Sequence, residues 1–94
     1  MIDNIELFNE LARFVRPAFS DYVPIESLDV PLADTGLDSM DALTMGIYLD
    51  EIYGVDSATS KEWTFDSPKS IFALYEAHAT KHPQTVNEAM EVVR

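Results

Sequence analysis

Residues 39–53 constrain this chain more than any other stretch, because they read as a helix with apolar side chains on two opposite sides. At about 100° per residue, Ala42, Met45, Leu49, Ile52 and Tyr53 fall on one side, and Met40, Leu43 and Ile47 fall on the other. Thr44 and Glu51 lie among the second set, with Asp50 at its border. Asp38 has the position of an N-cap, with Asp41 three residues on, and Gly54 stops the run after Tyr53. A helix apolar on both sides is either wrapped completely or commits one face to a partner. Asp41, Asp50 and Glu51 fit complete burial poorly. One side is therefore expected in the core. The other is expected as a narrow apolar stripe fringed with acids, suited to a partner with a basic rim. Burial of both faces in a tightly wrapped bundle is the competing reading. Gly46 costs about 1 kcal/mol relative to Ala in mid-helix, and a close helix–helix approach is its expected reason.

The rest of the pattern supplies neighbours for that helix. Asp3 and Glu6 have capping-box spacing ahead of Leu7, Leu11 and Phe14, with Phe8 and Val15 beside them, which predicts a first helix of about four turns. Pro17 disfavours helical geometry at Arg16 and ends or kinks that helix, with residues 18–22 open to one more turn. Residues 24–38 hold Pro24, Pro31 and Gly36 and no helical repeat. A loop of that length inside a small domain is usually functional. Residues 55–66 are mixed, with a short turn expected around Trp63. Ser67-Pro68 opens a helix with Ile71, Leu74, Tyr75 and His78 on one face and Pro83 at its end. Thr85 and Glu88 form a second capping box, ahead of Val86, Ala89, Met90 and Val93. No segment alternates long enough to predict a strand.

The expected fold is therefore all-α: a small helical bundle of three main helices and a short one, third in order, with a long loop between the first two and an extra short C-terminal helix. Residues 1–83 read as the domain and residues 84–94 as a helical extension of it. So short a helix is marginal alone and must pack on the bundle, bind a partner or fray.

Composition narrows the function. Ninety-four residues leave room for one core, and 47% hydrophobic residues predict a folded chain despite a net charge of −11. The absence of Cys excludes disulfides and Cys-based zinc or redox chemistry. Seventeen acids against six bases argue against nucleic acid and anionic membrane surfaces as partners. The charge is also uneven: residues 17–60 carry nine acids and no Lys or Arg. That one-signed field would steer a basic partner onto the segment; a solvated face kept charged for solubility is the plainer alternative. The first twenty residues hold no apolar stretch long enough for a signal peptide or a membrane span, so the expected address is the cytoplasm, and the expected species a monomer.

The run Asp34-Thr35-Gly36-Leu37-Asp38-Ser39-Met40-Asp41 resembles the signature of the acyl carrier protein family, in which Gly-x-Asp-Ser-Leu or Gly-x-Asp-Ser-Met lies between a long loop and the second helix. The order of elements over about residues 5–80 is similar too. The resemblance implies that Ser39, beside the motif residue Asp38, carries 4′-phosphopantetheine donated from coenzyme A by a separate phosphopantetheinyl transferase. The thiol of that arm would hold acyl cargo as a thioester. It further implies that enzymes dock on the acidic second helix, through Met40, Asp41, Leu43, Ile47, Asp50 and Glu51. Those enzymes would be a cargo-loading ligase or acyltransferase and downstream synthase enzymes with basic patches, as in fatty acid or polyketide biosynthesis. The chain would then be a freestanding, non-catalytic carrier. Thr35, Thr44 and Tyr48 replace the Leu, the acid and the small residue that the family often has, which points to one specialised pathway. Asp38 before the serine resembles acyl more than peptidyl carriers. An aminoacyl or peptidyl carrier, and an unmodified interaction module with the carrier fold, remain the alternatives.

The local chemistry agrees with modification at Ser39. Its hydroxyl falls in the first turn of a helix, where an attached phosphodiester meets the positive end of the macrodipole. Asp34, Asp38 and Asp41 would repel a free anion, so a covalent bond is the sensible way to keep phosphate there. A hydrolase reading fails on the motif, which lacks the second glycine of a nucleophile elbow and follows no strand. His78 and His82 are four apart on the expected helix, a spacing that can serve one metal, but no Glu base lies between them and no third ligand is evident. His78 is expected in the core and His82 as a cation at the helix C-terminus. Trp63 is expected as a core aromatic, with the wall of a cargo cavity as the alternative.

Overall fold

The computed structural model describes residues 2–16, 22–64 and 66–94. Among them the chain forms α1 (Asn4–Val15), a 3₁₀ turn (Leu32–Asp34), α2 (Ser39–Tyr53), α3 (Ser57–Ser60), α4 (Pro68–His78) and α5 (Val86–Val93), with no strand. The extra turn considered for residues 18–22 falls outside the described residues except for Tyr22. No described helix is long and apolar enough to cross a membrane.

Side-chain caps fix most of the starts where the sequence places them. Asp3 Oδ1 accepts from the Ile5 and Glu6 N–H groups. Asp38 and Asp41 complete a reciprocal capping box at α2, and Ser67 and Ser70 complete another at α4 behind Pro68. At α5 the expected box is not reciprocal: Thr85 accepts from the Glu88 N–H, but the Glu88 carboxylate takes the Gln84 N–H instead of that of Thr85. The stops follow backbone chemistry. Arg16, ahead of Pro17, is extended at φ −101° and ψ 149°. Gly54 ends α2 at φ 66°, in the left-handed region that glycine enters without penalty.

Helix α4 departs from the pattern by stopping at His78, well before Pro83. The chain turns extended at Ala79, and the Thr80 and Lys81 N–H groups both donate to the Tyr53 carbonyl, at 2.9 and 3.0 Å. The Thr80 hydroxyl donates to the Gly54 carbonyl at 2.6 Å. The end of α2 thus gains partners for its unsatisfied carbonyls, and it takes them from residues that would otherwise have continued α4. His82 therefore lies off the helix and shares no helical face with His78. His78 is exposed rather than in the core, with Nδ1 2.9 Å from the Leu74 carbonyl oxygen. The buried face of α4 is Pro68, Ile71, Phe72 and Tyr75, while Leu74 is half-buried. Asp56 caps α3 by accepting from the Ala58 N–H, and the turn expected around Trp63 follows it directly, with the Trp63 N–H donating to the Ser60 carbonyl at 3.0 Å.

The loop of residues 24–38 is tied down by side chains. Asn9, buried on α1, accepts through Oδ1 from the Ile25 N–H at 2.9 Å and the Tyr22 hydroxyl at 2.7 Å, and donates through Nδ2 to the Ile25 carbonyl at 3.1 Å. Burial raises the pKa of Tyr22. Farther on, the Leu32 N–H donates to the Asp66 carbonyl and the Lys69 N–H to the Leu28 carbonyl, which staples the loop to the start of α4.

Helix α2 is central: α1, α3, α4 and α5 all pack against it. Leu7, Phe8, Leu11 and Ala12 of α1 meet Met45, Leu49, Ile52 and Tyr53 of α2 in one core with Ile25 and Val55. Phe14 is exposed at the edge of this stripe, its ring 5.2 Å from that of Tyr48. Of the three fates open to the C-terminal helix, α5 takes the first. It packs on α1 and α2, burying Ala89 and Met90, with Val86 and Val93 against the core. The radius of gyration, 12.2 Å, matches the roughly 12 Å of a compact chain this long. Met90→Ala should therefore cost about 2–5 kcal/mol in urea unfolding. A change within about 0.5 kcal/mol, as at surface sites, would show that α5 is not part of the core.

Candidate functional site

The two faces of α2 separate as the sequence predicts. Met45, Leu49, Ile52 and Tyr53 are each at most 2% exposed, whereas Met40, Leu43 and Ile47 are 68%, 64% and 54% exposed. Burial of both faces is thereby excluded. The outward stripe has spacing i, i+3, i+7 and extends about 10 Å along the axis. Ser39 stands at its head, exposed in the first turn.

The acids around this stripe divide into two groups. Asp38 and Glu51 are exposed, as are Asp34 and Asp56 nearby. Asp41 is turned inward. Its Oδ2 accepts from Arg16 Nη1 at 2.9 Å and from the Asp38 N–H at 3.2 Å. Arg16 Nη1 also donates to the Gly36 carbonyl at 3.0 Å, which joins the end of α1 to the turn preceding Ser39. The guanidinium places one positive charge among the acids at the start of α2. Asp50 is likewise engaged: Oδ1 accepts from the Tyr75 hydroxyl at 2.7 Å, and Oδ2 from the Ser60 hydroxyl at 3.0 Å. Of the six residues expected to face a partner, Met40, Leu43, Ile47 and Glu51 are exposed, while Asp41 and Asp50 brace the fold.

A cleft of about 330 Å³ runs beside Ser39 between α2, α3 and α4. Ala42, Leu43, Gly46 and Ile47 form one wall, Ser57, Ser60, Lys61 and Trp63 the other, and Asp50 and Tyr75 lie at its base. Trp63 is partly buried against the core and also borders the cleft. Its ring meets Tyr75 edge-on at 5.0 Å and lies 4.9 Å from His78, and it lines the cleft. Neither histidine lines this cleft. The cleft can accept a narrow apolar group entering from the Ser39 end, with polar contacts at Asp50, Ser60 and Tyr75.

Sequence reasoning missed Arg16, Ser60 and Tyr75 as parts of this site. Arg16 and Asp41 are 25 residues apart, as are Tyr75 and Asp50; no local spacing signals either pair. Gly46 also has a different reason from the expected one. A Cβ there would lie 3.8 Å from the Tyr75 hydroxyl, an ordinary contact, so no helix presses on it. Its carbonyl accepts from that hydroxyl at 3.1 Å. No family model, curated protein or solved structure matches the chain.

Two predictions follow from this geometry. Gly46→Ala keeps the carbonyl and gains helix propensity, so it should raise stability by about 1 kcal/mol in urea unfolding; a loss would mean that the glycine relieves crowding. The second concerns alkaline pH. Burial, with Asp50 beside it, pushes the Tyr75 hydroxyl up, and burial, with Glu76 nearby, pushes Tyr53 up to about 12. An unfolded tyrosine ionises at its ordinary 10.0, before either folded one. This stabilisation is complete below pH 10 and lost as pH rises through about 12. Thermal melts should fall over that window, and less steeply in Tyr75→Phe; parallel declines would remove Tyr75 as a cause.

Proposed function

We propose that this chain is a cytoplasmic carrier protein, armed at Ser39 with 4′-phosphopantetheine and presenting acyl cargo as a thioester to enzymes that dock on α2. The observation that carries this reading is the exposed Ser39 hydroxyl, which lies in the first turn of α2, beside a cleft and at the head of an exposed apolar stripe. The residues fit the group in three ways. The hydroxyl is open to a transferase, the amide end of a capped helix faces the phosphate, and Arg16 offsets the charge of Asp41. When attached, the arm supplies a thiol for thioester chemistry. Ser39 anchors it, and the stripe of Met40, Leu43 and Ile47 with Glu51 offers apolar contact and negative charge to a basic partner. In this reading the loading and consuming enzymes perform the catalysis, and the protein holds and presents.

The stripe also supports an unmodified docking module with this fold, because its exposure does not depend on Ser39. Intact mass after incubation with coenzyme A and a broad-specificity phosphopantetheinyl transferase separates the two. The carrier gains one phosphopantetheinyl group, Ser39→Ala gains none, and Ile47→Asp weakens capture of the charging enzyme. Absence of any gain with two unrelated transferases, on folded protein, would refute the carrier and leave the docking module.

A further inference from the structure

The apolar surface of α2 does not stop at the stripe beside Ser39. Residues four apart are neighbours on a helix, so Met40, Thr44 and Tyr48 form a second row alongside Met40, Leu43 and Ile47. Thr44 and Tyr48 are half-buried. The Thr44 hydroxyl donates to the Met40 carbonyl at 3.0 Å, so its proton is spent inside the helix. This second row ends on α1, where Phe14 meets the Tyr48 ring edge-on, with centroids 5.2 Å apart and planes at 70°. Leu7 and Leu11 begin the same apolar stripe of α1 and are buried completely, whereas Phe14 is 42% exposed. A lone exposed apolar side chain needs no explanation. Phe14 is instead the far edge of a run that passes through Tyr48 and Thr44 to Met40, Leu43 and Ile47, and a contiguous apolar surface of that kind marks an interaction site.

Charge defines what covers it. Asp38 and Glu51 are exposed at the two ends of the α2 stripe, about 20 Å apart along the axis. Of the bases nearby, Arg13 is matched by Glu10 at 3.3 Å and Arg16 by Asp41 at 2.9 Å. Lys61 stands across the cleft, beyond Leu43 and Ile47. The rim therefore keeps the negative sign of residues 17–60, which hold nine acids and no Lys or Arg. A second copy of this chain would be repelled, and so would an anionic bilayer. The complementary occupant is a basic protein segment whose apolar face is wide enough to reach α1, and an amphipathic helix flanked by Lys or Arg has that form. Aromatic side chains carry a large share of the energy at interfaces. The Phe14–Tyr48 pair thus separates partners: one whose apolar contact is confined to α2 leaves the pair in water.

We propose that Phe14 and Tyr48 belong to the docking surface, which receives a basic amphipathic helix of a partner protein laid across α2 onto the end of α1. This rests on the reading of the α2 stripe as a docking surface and not on modification at Ser39. The probe is an amphipathic helical peptide of Leu and Lys, about four turns long, titrated into the full chain at physiological ionic strength and followed by NMR. A Ser/Lys peptide of equal charge and a Leu/Glu peptide of the same pattern are the controls. Saturable shifts at Phe14, Thr44 and Tyr48, together with Met40, Leu43 and Ile47, are expected with the Leu/Lys peptide alone. Phe14→Ser should weaken binding about fivefold, Phe14→Leu should restore most of it, and Ile47→Asp should weaken it at least as much as Phe14→Ser. Urea unfolding checks that each variant folds. Weakening in Ile47→Asp with no change in Phe14→Ser, or shifts that stop at the α2 stripe, would overturn the extension to α1 and leave the stripe standing. No saturable binding, equal shifts with the Ser/Lys peptide, or affinity unchanged in both variants would overturn the extension and the stripe together.

Discussion

Burial of the inner face of α2 is the constraint on which the rest of the structure depends. Every other helix touches α2, and Met45, Leu49, Ile52 and Tyr53 bring it nearly complete burial on that side. A buried side chain of this kind contributes about 1.5–3 kcal/mol, so four on one helix outweigh the mid-helix glycine severalfold. The helix can therefore leave a second apolar face in water without losing its place. That surplus is what makes an exposed stripe beside Ser39 physically possible.

The same helix is held at both ends by groups distant in sequence. Arg16 ties its start to the end of α1 through Asp41 and Gly36. Thr80 and Lys81 cover the carbonyls of Tyr53 and Gly54 at its end. Halfway along, Asp50 is bonded to Tyr75 and Ser60. These bonds lie between elements that hydrophobic burial has already brought together, and they fix the angle and register at which α2 presents its outer face. The orientation of Ser39 follows from them. Where the polar groups are unmet, as at Tyr53 and Asn4, the fold carries a local penalty of roughly 1–3 kcal/mol for each buried group.

Much of the candidate site was legible. Asp38 as a cap, Gly54 as a stop, and the opposed sets led by Met45 and Leu43 depend on periodicity and local backbone chemistry, which act within a few residues. The pairing of Asp41 with Arg16 and the role of Asp50 were not legible. A carboxylate on the flank of an amphipathic helix looks the same whether it faces solvent or a partner 25 residues away. The position of His82 was misjudged for a related reason. Helical spacing after Tyr75 carries no record that the end of α2 competes for the N–H groups of Thr80 and Lys81.

The sequence alone thus determined the all-helical class, where most helices begin and end, which side of α2 is buried, and the exposed setting of Ser39. Each of these comes from interactions between residues one to seven apart. Only the tertiary structure decided that α5 joins the core, that α4 stops at His78, that Asn9 anchors the long loop, and that a cleft runs from Ser39 to Trp63. Those outcomes arise where segments far apart in the chain exchange hydrogen bonds and apolar surface. Such exchanges exist only once the bundle has closed.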